Sequence, residues 1–322
     1  MKLSELLDKF AGRRVLVLGD LMLDEYIFGR ATRISPEAPV MVVRHMQTSR
    51  VPGGAANVAR NIIALGGEAH TIGVAGCDEA GNLLENSLIE HGLSGALLVR
   101  DPERATTRKT RVLADHTHQV LRIDQEDDMP VSEAVATKIL EGAKHALERC
   151  DVVVLSDYLK GVLTPEIAGG VLAEAKMLGK PVVVNPKPRT KSLYAGADLI
   201  SLNRAEATEA LGEYRGLVNA EAMQAASRLK TELRATSVLV TLGESGMAAS
   251  GPSDFFIDAP KVEVYDTAGA GDTVIATVAL GLAAVGYKRE IFELAAQTAG
   301  SVVRHVGVAT PSARDLEQIR AL

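Results

Sequence analysis

The chain contains no tryptophan, and aromatic residues make up only 3% of its 322 positions. A core of this size cannot then rest on aromatic packing. Within a 47% apolar chain it must be built from Ala, Val, Leu and Ile, a composition that suits helices packed on a buried parallel sheet. Cysteine is nearly absent. Cys77 and Cys150 lie far apart and form no CxxC pair, which argues against a disulfide framework or a cysteine metal site and predicts reduced thiols in a cytoplasmic protein. There is no basic excess: 41 acidic residues stand against 35 basic ones, for a net charge of −6. A general nucleic-acid binder usually carries such an excess, so no nucleic-acid partner is expected, although a local basic pocket is allowed. No apolar run is long enough to cross a bilayer, so a soluble chain without a membrane partner is expected. The first residues, MKLSELLDKFAGRR, are too charged for a signal peptide and read as a short amphipathic helix. Repeats, low-complexity tracts and disordered linkers are missing as well. The length is near the upper limit for one hydrophobic core, so residues 1–322 are read as one large domain with a small appendage.

What is present is an alternation. Arg14–Asp20 (RVLVLGD) is a continuous apolar run ending in Gly and Asp, the pattern of a buried parallel strand feeding a loop. Similar runs recur at His70–Ala75, Asp151–Ser156, Pro181–Asn185, Leu199–Leu202 and Ser237–Thr241, with helical stretches at Glu133–Glu148, Pro165–Leu178 and Glu221–Leu233. The alternation predicts an α/β fold, a doubly wound and mostly parallel sheet flanked by helices. Ligands in such folds bind beyond the carboxyl ends of the strands, which points to Asp20, Asp157, Asn185, Asn203 and Gly243. Pro39–Met46 and Thr106–Asp124 break the pattern. They are rich in β-branched residues, lack a helical period and read as antiparallel strands of a small projecting sheet, a lid with strands over about 25–48 and 104–125.

Chemistry concentrates in Val264-Tyr-Asp-Thr-Ala-Gly-Ala-Gly-Asp272, followed by the apolar helical stretch Thr273–Val285. Small residues let the backbone turn sharply and approach a ligand closely. The helix start exposes unpaired N–H groups with partial positive charge, which together make an anion site. Asp272 stands where loop becomes helix. On its own this run can equally be a helix cap on a glycine turn. It lacks the GK[ST] ending of a P-loop and does not follow the first strand with GxGxxG spacing.

The run resembles the C-terminal signature of the ribokinase-like (PfkB) carbohydrate kinases, whose core is GAGD. Thr277 departs from it, standing where the family usually has Ala or Gly. Pro52-Gly-Gly-Ala-Ala-Asn57-Val-Ala resembles the family's N-terminal signature, a di-glycine followed by Asn at a helix start. Gly53 and Gly54 would let a sugar lie against the backbone, and Asn57 offers both donor and acceptor to hydroxyls. The two signatures stand in the right order, and the resemblance spans essentially the whole chain.

The resemblance implies an ATP-dependent phosphotransferase with an alcohol acceptor. Asp272 would be the catalytic base and Gly269, Ala270 and Gly271 would supply its anion cradle. Gly19-Asp-Leu-Met-Leu-Asp24 resembles the first sugar-binding loop, with Asp24 gripping hydroxyls and Asp20 either sharing that role or serving as a turn residue. Leu202-Asn-Arg-Ala-Glu206 resembles the NxxE motif, in which Asn203 and Glu206 organise Mg²⁺ and phosphates, Glu206 holding the metal through water. The same spacing fits a helix N-cap with a capping-box Glu. Asn185 and Lys187 resemble a phosphate-contacting segment, Thr241, Gly243 and Gly246 a stretch along the nucleotide, and Gln297–Arg304 would flank adenine. Mg²⁺ is the expected cofactor, and dependence on a monovalent cation is left open.

For the sugar, Arg33–Val40, Thr106–Val112, Gln119–Asp124 and Ser156–Gly161 resemble the branch of the family that phosphorylates D-glycero-β-D-manno-heptose 7-phosphate at O1 for lipopolysaccharide core synthesis. Asn185-Pro-Lys-Pro and Asp266-Thr-Ala-Gly depart from that branch. With the chain ending at Leu322, only the kinase step is expected, without the adenylyltransferase fused to many such kinases. A phosphorylated substrate needs cations. Strand alternation puts Lys109 and Arg111 on one face and Arg108 on the other, which makes Lys109 and Arg111 the candidate phosphate clamp, with Lys160 nearby. The same residues fit a charged edge strand that guards against aggregation, and Lys160 and Lys187 fit the nucleotide side equally. His116 and His118 read as solvated turn residues rather than metal ligands. Within the family, kinases of fructose 1-phosphate or ribose are the alternatives. Outside it, a nucleotide-dependent oxidoreductase lacks its glycine fingerprint, and a sugar-binding regulator has no need of Asp272, Asn203 and Glu206 together. A homodimer through the lid sheet is expected, since the family often pairs its lids.

Overall fold

The computed structural model describes residues 1–115, 118–213 and 215–322. The first half of the chain runs α1 (Leu3–Asp8), β1 (Arg14–Gly19), β2 (Leu21–Ile34), β3 (Met41–Gly54), α2 (Ala55–Ala64), β4 (Glu68–Gly76), α3 (Glu79–Glu90), β5 (Leu97–Asp101), β6 (Arg108–Ala114), β7 (His118–Gln125) and α4 (Glu133–Leu147). The second half runs β8 (Val152–Ser156), α5 (Pro165–Met177), β9 (Val182–Asn185), β10 (Leu199–Asn203), α6 (Arg204–Ala210), α7 (Ala222–Leu233), β11 (Ser237–Thr241), β12 (Met247–Ser250), β13 (Phe255–Ile257), α8 (Ala270–Val285), α9 (Arg289–Val302) and α10 (Ala313–Arg320).

The large sheet is ordered β13-β12-β11-β10-β9-β8-β1-β4-β5, with β12 and β13 antiparallel and the rest parallel. Period-2 alternation explains why its strands read as unbroken apolar runs. Leu16 and Leu18 of β1 pack with Ile139 of α4, Ile167 of α5 and Leu229 of α7. Val15 and Val17 pack on the opposite face with Ile62 of α2, Ile275 of α8 and Phe292 of α9. Both faces are covered, so the strands are mostly apolar, with only small hydroxyl residues such as Thr71, Ser156 and Ser201 buried among them. The predicted doubly wound α/β class is what the chain adopts.

The parallel register aligns the strand ends: Gly19 faces Ser156, Ser156 faces Asn185, and Asn203 faces Thr241. Asp20, Asp157, Asn185, Asn203 and Gly243 therefore collect along one edge, where β1 parts towards β4 on one side and β8 on the other.

The second sheet is ordered β3-β2-β6-β7. It differs from expectation in two ways. Its first strand starts at Leu21, so Asp24 lies on β2 and not in a loop. And β2 pairs with β6 in parallel, although β2 with β3 and β6 with β7 are antiparallel. The apolar, aromatic opening of β2 (LMLDEYIF) carried the strand signal that a loop assignment overlooked. His118 opens β7 as an exposed strand residue, and His116 lies outside the described residues. Among the described residues no helix is long and apolar enough to cross a membrane, and no cluster of His, Cys, Asp and Glu could hold a metal ion on its own.

Candidate active site

The glycine-rich run ends in a helix start whose geometry demands its residues. Gly269 caps α8 with φ 81°, and a Cβ there would lie 2.8 Å from Asn57 Nδ2. Glycine is thus required both by the left-handed backbone and by the approach of α2. At Gly271 a Cβ would meet nothing within 4 Å, and the position borders a large cavity. The Ala268 amide donates to Asp266 Oδ1 at 2.9 Å and the Ala270 amide to the Thr267 carbonyl at 3.3 Å. Asp266 also accepts from the Gly307 amide at 2.9 Å, so its carboxylate braces the turn. The amides of Gly271 and Asp272 make no hydrogen bond to the described residues. The Gly269 amide likewise has no partner among the described residues, so of the Gly269, Ala270 and Gly271 amides implied by the motif only that of Ala270 is taken. Thr277, the departure from the signature, is buried and satisfied, donating to the Thr273 carbonyl at 2.8 Å and pairing with Thr298 Oγ1 at 2.9 Å.

Asp272 is buried beneath this turn. Asn57 Nδ2 donates to its Oδ2 at 2.8 Å and the Tyr158 hydroxyl to its Oδ1 at 2.6 Å. Burial pushes its carboxyl up to about 6, and the two hydrogen bonds oppose that rise. Asn57 is itself oriented by Arg60 Nη1, 3.1 Å from its Oδ1. Asn61 accepts from Thr273 Oγ1 at 2.8 Å and stitches α2 to α8 below the site. Two signatures more than 200 residues apart in sequence thus share a hydrogen bond. Tyr158 was not singled out by sequence reasoning. Its signal was its place just past the end of β8, at the edge where such folds bind ligands.

The two N-terminal aspartates part company. The Asp24 carboxylate accepts from Arg111 Nη1 at 2.5 Å. Its other oxygen lies where a Gly53 Cβ would be, 1.9 Å away, so Gly53 makes room for Asp24 and not directly for a sugar. Gly54, with φ 59°, caps α2. For Asp20 the structure favours the second of its two readings, a turn residue: its oxygens accept from the amides of Tyr158 at 2.7 Å, Lys160 at 3.1 Å and Val162 at 3.2 Å. It holds the loop after β8 instead of presenting free oxygens to a ligand. Burial pushes it, too, up to about 6 against those amides.

The basic set is neutralised from within. Lys109 Nζ lies 3.1 Å from Asp124 and 3.0 Å from Glu126, and Lys160 Nζ 3.0 Å from Glu126 and 2.7 Å from Asp128. Lys109 and Arg111 do share a face of β6, with Arg108 on the other bonded to Glu25. The expected open clamp, however, is a set of ion pairs, because Asp124 near the end of β7 and Glu126 and Asp128 just after it meet the two ammonium groups.

On the nucleotide side, Asn203 and Glu206 form the capping box of α6, each side chain accepting from the other's amide at 2.9 Å. Glu206 Oε1 also accepts from Lys187 Nζ at 2.6 Å, and that ammonium lies 5.1 Å from the centre of the Tyr158 ring. Asn185 spends its amide on the Ser201 carbonyl at 3.0 Å and ties β9 to β10. Thr241, Gly243 and Gly246 line a cavity of about 1530 Å³ that reaches Gly271 and is walled by Ala296, Ala299, Gly300 and Val303. Gly246, at φ 100°, is needed because a Cβ would sit 2.0 Å from the Ile257 carbonyl.

A buried carboxylate at a helix start, open amides beside it and a cavity leading to them form an arrangement suited to phosphoryl transfer. The sequence pattern of the pfkB family carbohydrate kinases matches residues 13–315, and the chain belongs to that family: it is a sugar kinase, a phosphotransferase for which the family implies ATP. It is 44% identical over 317 residues to the bifunctional protein HldE of Caulobacter sp. (strain K31), a match covering 98% of this chain and 64% of that protein. It is 42% identical over 311 residues to the bifunctional protein HldE of Desulfatibacillum aliphaticivorans, covering 96% and 63% respectively. The chain thus spans somewhat under two thirds of the length of these relatives. Among solved structures, phosphofructokinase-2 from Escherichia coli in complex with potassium superposes with a TM-score of 0.80 at 21% identity, over 97% of this chain and 98% of that one. Ribokinase from Arabidopsis thaliana with ribose and ATP gives 0.73 at 18%, over 97% and 99%. At these identities the shared property is the fold.

Proposed function

We propose that this kinase phosphorylates D-glycero-β-D-manno-heptose 7-phosphate at O1, giving the 1,7-bisphosphate for lipopolysaccharide inner-core synthesis in the cytoplasm. The observation that carries the chemistry is the buried Asp272 carboxylate beside the open amides of Gly269, Gly271 and Asp272. The similarity to HldE proteins over their kinase part supports the heptose phosphate.

In this reading Asp272 accepts the O1 proton as O1 bonds to the γ-phosphorus and the β–γ bridging bond breaks, releasing ADP. A general base contributes about 10²–10⁴-fold. The first-turn amides of α8 face the charge on the transferring group, where one well-placed donor is worth about 3 kcal/mol. Asp24 and Asn57 would hold sugar hydroxyls, with Arg111 fixing Asp24. The cavity from Thr241 to Gly271 would take the nucleotide along Gly243 and Gly246. Glu206 is a single carboxylate already bonded to Lys187, a donor set that fits Mg²⁺ held mainly by phosphates and water with Glu206 in its outer layer. Bound there, the metal would neutralise phosphate charge. The small sheet would act as a lid that keeps water from the site.

One observation favours a second reading. Lys109, Lys160 and Arg111 all have carboxylate partners, as a kinase for a neutral sugar such as ribose would allow. A coupled ADP-release assay against heptose 7-phosphate, fructose 1-phosphate and ribose decides between them. Heptose 7-phosphate should give the highest kcat/KM, and turnover of ribose without turnover of the heptose phosphate would overturn the substrate assignment.

A further inference from the structure

The loop between β8 and α5 is held more tightly than a connection requires. Asp20 gathers the amides of Tyr158, Lys160 and Val162, and Asp157 Oδ1 accepts the Leu159 amide at 2.8 Å. Asp157 Oδ2 is fixed in turn by Thr190 Oγ1 at 2.6 Å and by the buried Tyr194 hydroxyl at 2.7 Å. The backbone accepts a left-handed conformation at Leu159, φ 59°, a position that favours glycine. Two buried carboxylates and one strained residue thus fix the bearing of Tyr158, whose ring lies against Lys187 and whose hydroxyl reaches Asp272 Oδ1 at 2.6 Å.

We propose that Tyr158 is a positioning residue for the transfer: its hydroxyl, delivered by this braced loop, orients the Asp272 carboxylate and favours its charged form. The proposal rests on the reading of Asp272 as the base. Asn57 and Tyr158 take one acceptor site on each oxygen of Asp272 and leave one on each for the sugar hydroxyl. The phenol keeps its own proton throughout. Burial, followed by the neighbouring Asp272 charge, holds it well above the usual tyrosine range, so it serves as a donor and never as the base. The other charged groups around Asp272 are Asp24 from β2, which raises its pKa, Lys187 beyond β9, which lowers it, and Arg60 on α2. Because Lys187 also bonds Glu206, Tyr158 lies between the phosphate side of the site and the base.

The test is Tyr158→Phe, which keeps the ring against Lys187 and deletes only the donor. Kinetics use heptose 7-phosphate, or whichever sugar of the panel above the parent turns over. Activity needs ionised Asp272, so the acid limb of kcat/KM lies at its pKa. Losing a donor to the charged form moves that limb up by about one pH unit and lowers kcat about tenfold, with KM for ATP within about twofold. A limb that stays in place overturns the proposal, whether kcat falls or not, since a merely structural defect would lower kcat alone. Should the Phe protein melt early, 3-fluorotyrosine at 158, a more acidic and stronger donor, must move the limb down, and no movement overturns the proposal equally. Asp272→Asn run in parallel separates the layers. If it still turns over, the base assignment itself fails, whereas an inactive Asn protein beside an unmoved Phe limb sinks only the role of Tyr158.

Discussion

As the proposed base, Asp272 carries two conflicting demands. Its carboxylate would have to be charged to take a proton, yet burial disfavours the charge and raises its pKa to about 6. The folded value lies above the unfolded value of 3.8, so the contribution to stability is fully present below pH 3.8 and is lost as pH rises through about 6. The shift of about two units corresponds to about 3 kcal/mol at neutral pH. Asp272→Asn removes the charge and keeps the shape, and the Tyr158 hydroxyl can turn to accept from the new amide. This variant should lose at least about 100-fold in kcat. It should also melt roughly a few degrees above the parent at pH 7–8, with the gain fading towards pH 4. Activity measured against pH, scanning calorimetry and parent kcat check both halves, and near-parent turnover would refute the base assignment. In the parent, kcat/KM should fall as pH drops below about 6. Asp272 and Asn57 were legible in sequence because fixed glycine spacing surrounds each. Tyr158, Arg60 and Asp266 were not, because a side chain that acts through another leaves no spacing of its own. Asp20 stayed open between two readings for a related reason: a strand-end aspartate looks the same whether it binds hydroxyls or its own chain's amides.

The elements of the large sheet were readable because a strand buried on both faces is a continuous apolar run, and β1, β8, β9, β10 and β11 each are. β5, β12 and β13 were missed; they lie at or near the sheet's margins, and β5 and β13 are only partly buried. The parallel pairing of β2 with β6 could not be read locally either, because it joins residues 85 positions apart, Leu23 with Arg108 and onward, through register alone. At the start of α8, two neighbouring glycines that look alike in sequence do different work. Gly269→Ala should cost about 1–2 kcal/mol, since alanine must hold a positive φ and push Asn57 off Asp272. It should lower kcat as well. Gly271→Ala meets open space on a helical backbone, so its stability should match or slightly exceed the parent's. Its methyl group projects towards the cavity, and kcat/KM for ATP should drop. Urea denaturation paired with ATP kinetics distinguishes the two, and equal stability losses would mean that the helix start is misjudged.

At the scale of the whole molecule, the small sheet leaves apolar surface uncovered. Leu121 and Ile123 of β7 are 51% and 54% exposed, with Ile34 and Met46 at 63% on β2 and β3. Ile123 faces Thr110 and Leu121 faces Val112 across the ladder, so both lie on the side of β6 away from Arg111 and Asp24. The face that carries Asp24 and Arg111 is thus lined with charges bonded to one another, while the other face combines the Glu25 ion pairs with Arg50 and Arg108 and exposed branched aliphatics on β7. Exposed aliphatic side chains grouped on one sheet face are the kind of surface that marks an interface when they form a contiguous patch. A second copy of the chain is the simplest partner, since a self-complementary contact through the same sheet closes on itself. Light scattering after size exclusion should then give a particle of twice 34.0 kDa. The double variant Leu121→Lys, Ile123→Lys places charges only where side chains are already half in water, so it should keep the parent's circular dichroism while eluting as a monomer. If the paired lids hold one another over the sites, that monomer should also hydrolyse ATP faster in the absence of sugar, because water enters a lid no longer supported. A parent chain that is monomeric at micromolar concentration would rule out the lid dimer, and the aliphatic face would then need a different occupant.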